Sequence, residues 1–315
     1  KEVCMHCNNQ IRTICRVVHE NRAPEISTVN LTVDIQQRRI IFMKTIKYLT
    51  VFCMMICMIM QLNINVSANE NNICYVAHRG YTKYAPENSI PAFEAAGKEG
   101  FQAVECDIHE TAKDKKGKRR FVIMHDQTLN RMCGLSGKNI YQKKLTYQKI
   151  RNKYYIKTGN NIESYTKKQL RIPSLEEYLN ICKRYHMKPV IEIKQKMKKD
   201  TIKRLYQSLK KAKMQNQAVV TCKYKQQLTY MRKYARKMPL EYVRHDFTQN
   251  DLSWMKKYHI NVSINKNILS DDMIQLFETN NIKINIWTIN NKDQLYNFTN
   301  KGIKIVTSDD ALWKE

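Results

Sequence analysis

The sequence predicts an α/β fold, a (β/α)8 barrel of the TIM type with a hairpin and an insertion after its second strand. Three observations predict it. Nine short β-rich runs recur from residue 73 onward, mostly with amphipathic helical segments between them, which is the pattern of parallel βα units. Two of the nine are separated by only about a dozen residues of polar, Gly117-centred loop, too few for a crossover helix, so they pair as a hairpin and leave eight barrel strands. The 247 residues after position 68 suit one such barrel.

The strand candidates, in order, are 73–78 (ICYVAH), 103–108 (AVECDI), 121–125 (FVIMH), 189–194 (PVIEIK), 218–223 (AVVTCK), 240–245 (LEYVRH), 261–265 (NVSIN), 284–289 (INIWTI) and 303–308 (IKIVTS). The helices between them carry their own punctuation. Asn88-Ser89 caps a segment with Pro91 in its first turn and Gly100 at its end. Ser174-Leu175-Glu176-Glu177 reads as a capping box, with Tyr178, Leu179 and Cys182 on one face. Asn290 or Asn291 starts another helix that stops near Gly302. The polar, Lys-, Tyr- and Asn-rich stretch from about 127 to 172 breaks this rhythm and is expected to cross the barrel mouth without forming a separate domain.

Upstream of the barrel, residues 43–68 have the form of a secretory signal peptide. Lys44 and Lys47 precede a 14-residue apolar stretch, Leu49 to Leu62, and Val66-Ser67-Ala68 makes an A-x-A-like end. The apolar middle is short for a membrane span, and a retained N-terminal anchor is the alternative. No lipobox cysteine follows it. Residues 1–42 are then expected to be an upstream extension not native to the product, with translation starting at Met43. A rival reading makes Cys4, Cys7, Cys15 and His19 a zinc site, but C-x2-C-x7-C-x3-H fits no common zinc module. The expected location is secreted or extracytoplasmic.

Composition excludes little by itself. The 43% hydrophobic content is ample for a core. Net charge is +27, from 55 basic and 28 acidic residues; residues 1–68 hold eight basic and four acidic ones, so the remainder carries +27 − 4 = +23. These charges are spread along the chain without the interleaved aromatics of a stacking platform, so nucleic acid is not an expected partner. Peripheral contact with an anionic membrane or cell wall stays open. The five cysteines after position 68 are odd in number and widely spaced, as buried hydrophobes and not a disulfide framework.

Chemistry gathers at the C-terminal ends of the strands, where barrel active sites form. The first ends in His78-Arg79-Gly80 and leads into Ala85-Pro86-Glu87-Asn88. The second carries Glu105 and Asp107, two apart and so on one side. Two carboxylates aimed together repel unless a cation lies between them, and an all-oxygen set favours a hard divalent ion. The hairpin arm ends in His125-Asp126, and the next barrel strand carries Glu192 and Lys194. His109, His186, His245 and His259, each alone, read as surface or satisfied core histidines.

The runs VAHRGYTKYAPENSIPAFEAAGKEGFQAVECDIHET, FVIMHDQTLNR, IPSLEEYL, VIEIK, INIWTIN and GIKIVTSDD resemble the glycerophosphodiester phosphodiesterase family over essentially all of 74–311. The resemblance implies a TIM-type barrel that hydrolyses glycerophosphodiesters to glycerol phosphate and an alcohol, through a cyclic phosphodiester, with one divalent cation, Ca²⁺ or Mg²⁺. By motif match it implies His78 and His125 as general base and acid, Glu105, Asp107 and Glu192 as metal ligands, and Arg79 and Lys194 on phosphate oxygens. It favours Trp287 as an aromatic wall under the glycerol or leaving group, with a core tryptophan as the alternative. Two departures stand out. The family's D-R-T-T-like run after HD is Leu129-Asn130-Arg131-Met132-Cys133-Gly134 here, so the resemblance does not by itself assign contacts to that loop. The turn after E-x-D is the longer, basic 111–120, expected to be harmless at a hairpin tip. Two rivals remain: a phospholipase-like relative acting at a membrane, and a non-catalytic basic binder of anionic polymers.

Overall fold

The computed structural model describes residues 42–50, 52 and 73–314. The proposed extension (1–42, Phe42 apart) and most of the proposed export segment therefore lie outside the described residues. Residues 42–50 are helical, with Thr50 Oγ1 donating to the carbonyls of Ile46 and Lys47. No helix among the described residues is long and apolar enough to cross a membrane.

The described residues from Ile73 onward belong to one compact unit. Eight parallel strands close on themselves: β1 (Cys74–Ala77), β2 (Ala103–Glu110), β4 (Lys188–Ile193), β5 (Val219–Cys222), β6 (Leu240–Arg244), β7 (Asn261–Asn265), β8 (Ile284–Trp287) and β9 (Ile305–Ser308), with β1 paired to both β2 and β9. β3 (Phe121–Ile123) pairs antiparallel with β2, Ile108 opposite Ile123, so the short Gly117 loop makes the hairpin that its length requires.

Helices pack round the outside. α1 (Ile90–Glu99) is capped by Ser89, whose hydroxyl accepts from Ala92 N, and ends at Gly100 in the left-handed conformation. α2 (Tyr147–Lys153) lies in the insertion, and α3 (Leu175–Arg184) starts from the full Ser174/Glu177 capping box. Phe93 and Tyr178 meet edge-on between α1 and α3, and the Tyr178 hydroxyl donates to Val104 O at the barrel wall. The cysteines at 74, 106, 133, 182 and 222 are free, the last four buried, as expected of small hydrophobes.

The insertion is held by its own apolar cluster, in which Leu129, Met132, Ile150, Ile156 and Ile172 pack on Val122 and Met124 of the hairpin arm. It also reaches back to the loop after β1: Asn160 Nδ2 donates to Thr82 O and Asn161 Nδ2 to Tyr84 O, both at 2.8 Å.

The pairing register fixes which side chains share the barrel interior. Asp107 stands opposite Glu192, Glu192 opposite Thr221, and Thr221 opposite Glu241. Ser263 stands opposite Asn285, and Asn285 opposite Ile305. Alternation places all of these on one face.

Candidate active site

The His78-Arg79-Gly80 corner is shaped by the close approach of α1. A Cβ on Gly80 (φ +90°) would lie 2.6 Å from that of Ala92. Arg79 is itself left-handed, φ 57°, which a residue with a side chain adopts at a cost. The conformation turns Arg79 N toward Glu105, donating to Oε2 at 2.9 Å. Asn88, also left-handed at φ 54°, brackets Asp107: its Nδ2 donates to Oδ2 at 2.7 Å and its Oδ1 accepts from the Asp107 amide at 3.2 Å. The A-P-E-N motif thus positions a carboxylate from the next strand.

Glu105, Asp107 and Glu192 each offer a carboxylate oxygen within 4.8 Å of the others. Burial pushes the Glu105 carboxyl well up, and the charges of Asp107 and Glu192 push it further. Burial and Asp107 likewise raise Glu192. Burial would raise Asp107 too, but Lys194, Arg79 and the Asn88 amide outweigh it and hold it below its ordinary value. Lys194 lies 3.0 Å from Glu192 and 3.4 Å from Asp107; burial opposes its charge, and these carboxylates restore it. One oxygen of this set, Glu105 Oε1, is buried with no hydrogen-bond partner. Three converging oxygen donors, an excess of negative charge and an unpartnered carboxylate oxygen fit a hard divalent cation.

Each histidine is backed by a carboxylate. His78 Nδ1 lies 2.8 Å from Asp309 Oδ1, and His125 Nδ1 lies 2.9 Å from Asp126 Oδ1. Burial works against the Asp309 charge, but hydrogen bonds from His78, Asn290 and Thr82 outweigh it and hold the carboxyl at about 2. The Arg131 hydrogen bonds bring Asp126 to about 2. An ionised carboxylate can only accept, so both Nδ1 atoms carry the proton and both Nε2 atoms are left for proton transfer. Burial lowers His125 itself.

The altered loop after HD is part of this arrangement. Arg131 Nε donates to Asp126 Oδ2 at 2.7 Å and its Nη2 to Glu87 Oε1 at 2.6 Å. Glu87 Oε2 accepts from Arg79 Nη1 at 3.1 Å. A belt of charge therefore runs from His125 through Asp126, Arg131 and Glu87 to Arg79. Sequence reasoning assigned no role in the site to Asp309, Asp126, Glu87 or Arg131, and gave Asn88 only a part in capping a helix. The signal was available for Asp309, which follows the last strand at its C-terminal end, where the other site residues lie.

These groups border a cavity of about 450 Å³ inside the barrel mouth, lined by His78, Arg79, Glu105, His125, Glu192 and Lys194. All eight residues expected at the site are together there; Asp107 contributes through its contacts to Arg79 and Lys194. Trp287 lines the same cavity and is half-buried. His245, read as a surface or core histidine, also lines it, ring centroid 4.9 Å from that of Trp287. It is exposed there, just beyond β6, on the face it shares with Val243 and Glu241 by the two-residue period. His186 and His259 end helices in the left-handed conformation, and His109 is buried beside the His125 carbonyl. At the floor, where Asn285 and Thr307 line the cavity, Glu241 Oε2 accepts from Asn285 Nδ2 at 2.9 Å, and Asn285 Oδ1 accepts from Thr307 Oγ1 at 2.8 Å.

The family described as "Glycerophosphoryl diester phosphodiesterase family" matches residues 78–312, from the first site histidine to beyond β9. The chain belongs to this family. Among curated relatives, "Glycerophosphodiester phosphodiesterase 1" of Mus musculus is 29% identical over 42% of this chain and 37% of its own length. "Putative glycerophosphodiester phosphodiesterase YhdW" of Bacillus subtilis is 35% identical over 36% of this chain and 40% of its own. The chain thus spans about two fifths of the length of these relatives. Two solved structures share the fold. One is an Oleispira antarctica phosphodiesterase in complex with the product sn-glycerol-3-phosphate (TM-score 0.65, 20% identity, 75% of this chain, 92% of that one). The other is a glycerophosphodiester phosphodiesterase from Thermotoga maritima (TM-score 0.58, 20% identity, 77% and 96%).

Proposed function

We propose that this barrel hydrolyses small glycerophosphodiesters to glycerol phosphate and an alcohol, using His78 as general base and His125 as general acid. The observation that carries this reading is the pair of histidines, each with its Nδ1 fixed on an ionised carboxylate, facing one cavity that also holds three converging carboxylates. Glu105, Asp107 and Glu192 would hold one divalent cation, Ca²⁺ or Mg²⁺, which when bound supplies Lewis-acid polarisation of the phosphoryl oxygens. Arg79 and Lys194 lend cationic charge to the same phosphate. His78 Nε2 takes the proton of a glycerol hydroxyl as that oxygen attacks phosphorus, and Asp309 stabilises the imidazolium that forms. His125, entering as the imidazolium with a second proton on Nε2, gives that proton to the departing alkoxide, and the two exchange roles when water opens the cyclic diester. Arg131 keeps Asp126 ionised, so the acid stays oriented through both halves.

The small-diester reading has more support than a membrane-acting one. Tyr84 and Tyr296 are the large apolar side chains left exposed among the described residues of the barrel unit, which is too little for an inserted apolar face. The charged start, apolar middle and small-residue end of 43–68 support an extracytoplasmic place of action; N-terminal sequencing of the exported protein tests it.

Purified protein should release glycerol phosphate from glycerophosphocholine with Ca²⁺ or Mg²⁺. His125→Ala should lower turnover by roughly 10²–10⁴-fold, the range for losing a proton-transfer group, while calorimetry shows unchanged metal affinity. Abolished metal binding would overturn the role given to His125, and no turnover on any small glycerophosphodiester with either metal would overturn the activity.

A further inference from the structure

Beside the catalytic cavity lies a second, larger one of about 740 Å³, and the two meet at His78 and Arg79. It is walled by the loop after β1, the end of β9 and the insertion, with Thr82, Lys83, Thr158, Gly159 and Asn160 on its surface. A phosphodiester has two arms, and its phosphorus belongs where the two cavities meet, beside the guanidinium of Arg79. The enclosed barrel cavity suits the small invariant glycerol arm, which leaves the roomier loop-walled cavity to the other alcohol.

The chemistry of the second cavity limits what that alcohol can be. Its charges are already matched within the wall: Asp310 with Lys83, Asp309 with His78, and Glu87 with both Arg79 and Arg131. No carboxylate is left over to hold an ammonium group. Among the described residues no Phe, Tyr or Trp ring lines it, so a quaternary ammonium finds no cation–π face of that kind. Ala85 and Met132 are its apolar lining, too little to bury an acyl chain. What remains are neutral groups with acceptor capacity to spare: the Thr82 and Thr158 hydroxyls, which donate to Asp309 and to the Arg131 and Met132 carbonyls and can still accept, the Asn160 carbonyl oxygen, and the peptide at Gly159. Neutral hydrogen-bonding groups in this number match a hydroxyl-rich ligand. The loop carrying them is fixed in place, since Asn160 Nδ2 donates to Thr82 O at 2.8 Å and Gly159 packs against Pro86 with no room for a Cβ.

We propose that this cavity is the subsite for the leaving alcohol and that it selects an uncharged polyol, such as glycerol or a cyclitol, over choline or ethanolamine. The inference rests on the phosphodiesterase reading and adds to it which diesters are preferred.

The test compares kcat/KM of the full chain, saturated with Ca²⁺ or Mg²⁺, on glycerophosphoinositol and glycerophosphoglycerol against glycerophosphocholine and glycerophosphoethanolamine. The polyol diesters should be turned over at least tenfold more efficiently. Thr158→Val and Asn160→Ala should each narrow that ratio at least threefold, through KM for the polyol diester and not through kcat. Equal or better turnover of the choline or ethanolamine diester overturns the polyol subsite and leaves the activity standing. A polyol preference that neither substitution moves overturns the assignment to this cavity. Turnover of none of the four overturns both the subsite and the activity on which it rests.

Discussion

Glu105 and Glu241 are both turned into the barrel and nearly removed from water, 7% and 4% exposed, yet their surroundings differ in kind. Glu105 sits among charges, with Asp107 and Glu192 on one side and Arg79 and Lys194 on the other, and one of its oxygens has no partner. Glu241 has no charge partner among the described residues and accepts from one amide, Asn285, while burial pushes its carboxyl up to about 7. Burial raises both groups. What separates them is convergence: three carboxylates opening on a cavity call for a cation, whereas a lone buried one keeps its proton instead. The upper layer is built to bind, and the lower layer to be neutral.

The strongest way to break this contrast is Glu105→Gln. It should abolish the rise in Tm that millimolar Ca²⁺ or Mg²⁺ gives the parent protein, because a ligand that binds only the folded state stabilises it. Turnover should fall by roughly 10²–10³-fold, the scale of losing one preorganised electrostatic group. In metal-free protein at pH 8 the same change should raise Tm, since a carboxyl pushed up by burial and by Asp107 and Glu192 costs the fold either a crowded charge or a proton held against its ordinary value, while the amide oxygen still accepts from Arg79 N. A metal-free Tm that drops would mean that the trio is not under repulsion.

The upper layer was legible in sequence for a physical reason. The two-residue strand period places Glu105 with Asp107, and Glu192 with Lys194, so each pair announces a shared face from neighbouring positions. The barrel count was legible too, because the loop between β2 and β3 is too short to be anything but a turn. Glu241 was not, as its partners Asn285 and Thr307 come from strands far along the chain and are joined only by the shear of the closed sheet. Asp126, Arg131 and Glu87 escaped similarly: their belt joins two loops, the one after β1 and the one after β3, and no local spacing encodes that junction. The parity of β6 is what brings the exposed His245 to the cavity on the face of Glu241 and Val243.

Glu241→Gln addresses the lower layer and should show in pH dependence. The folded carboxyl titrates near 7 against an ordinary value of 4.5, so between these values the folded state holds a proton that the unfolded chain has released. Stability therefore declines as pH rises from about 4.5 to about 7 and is lowest above that window, by about 3 kcal/mol for a shift of this size. Glutamine keeps the oxygen that accepts from Asn285 and removes the ionisation. Urea unfolding at pH 5 should barely distinguish the variant from the parent, while at pH 8 the variant should be the more stable. Equal stability at both pH values would show that Glu241 is ionised in the folded barrel or reached by water.

Thr307→Val should give the smallest effect and sharpen the account most. The Thr307 hydroxyl donates to Asn285 Oδ1, which fixes the amide with its Nδ2 toward Glu241. Valine fills the same space without the hydrogen bond, at a cost of about 1 kcal/mol. The Asn285 amide is then free to turn, and its donation to Glu241, the interaction that pulls that carboxyl downward, weakens. The pH window over which stability declines should accordingly extend above 7. The effect on that window should vanish in the background of Glu241→Gln, where no ionisation is left to shift. If Thr307→Val moves the window equally in both backgrounds, the titrating group is not Glu241, and the contrast between the layers has to be drawn elsewhere.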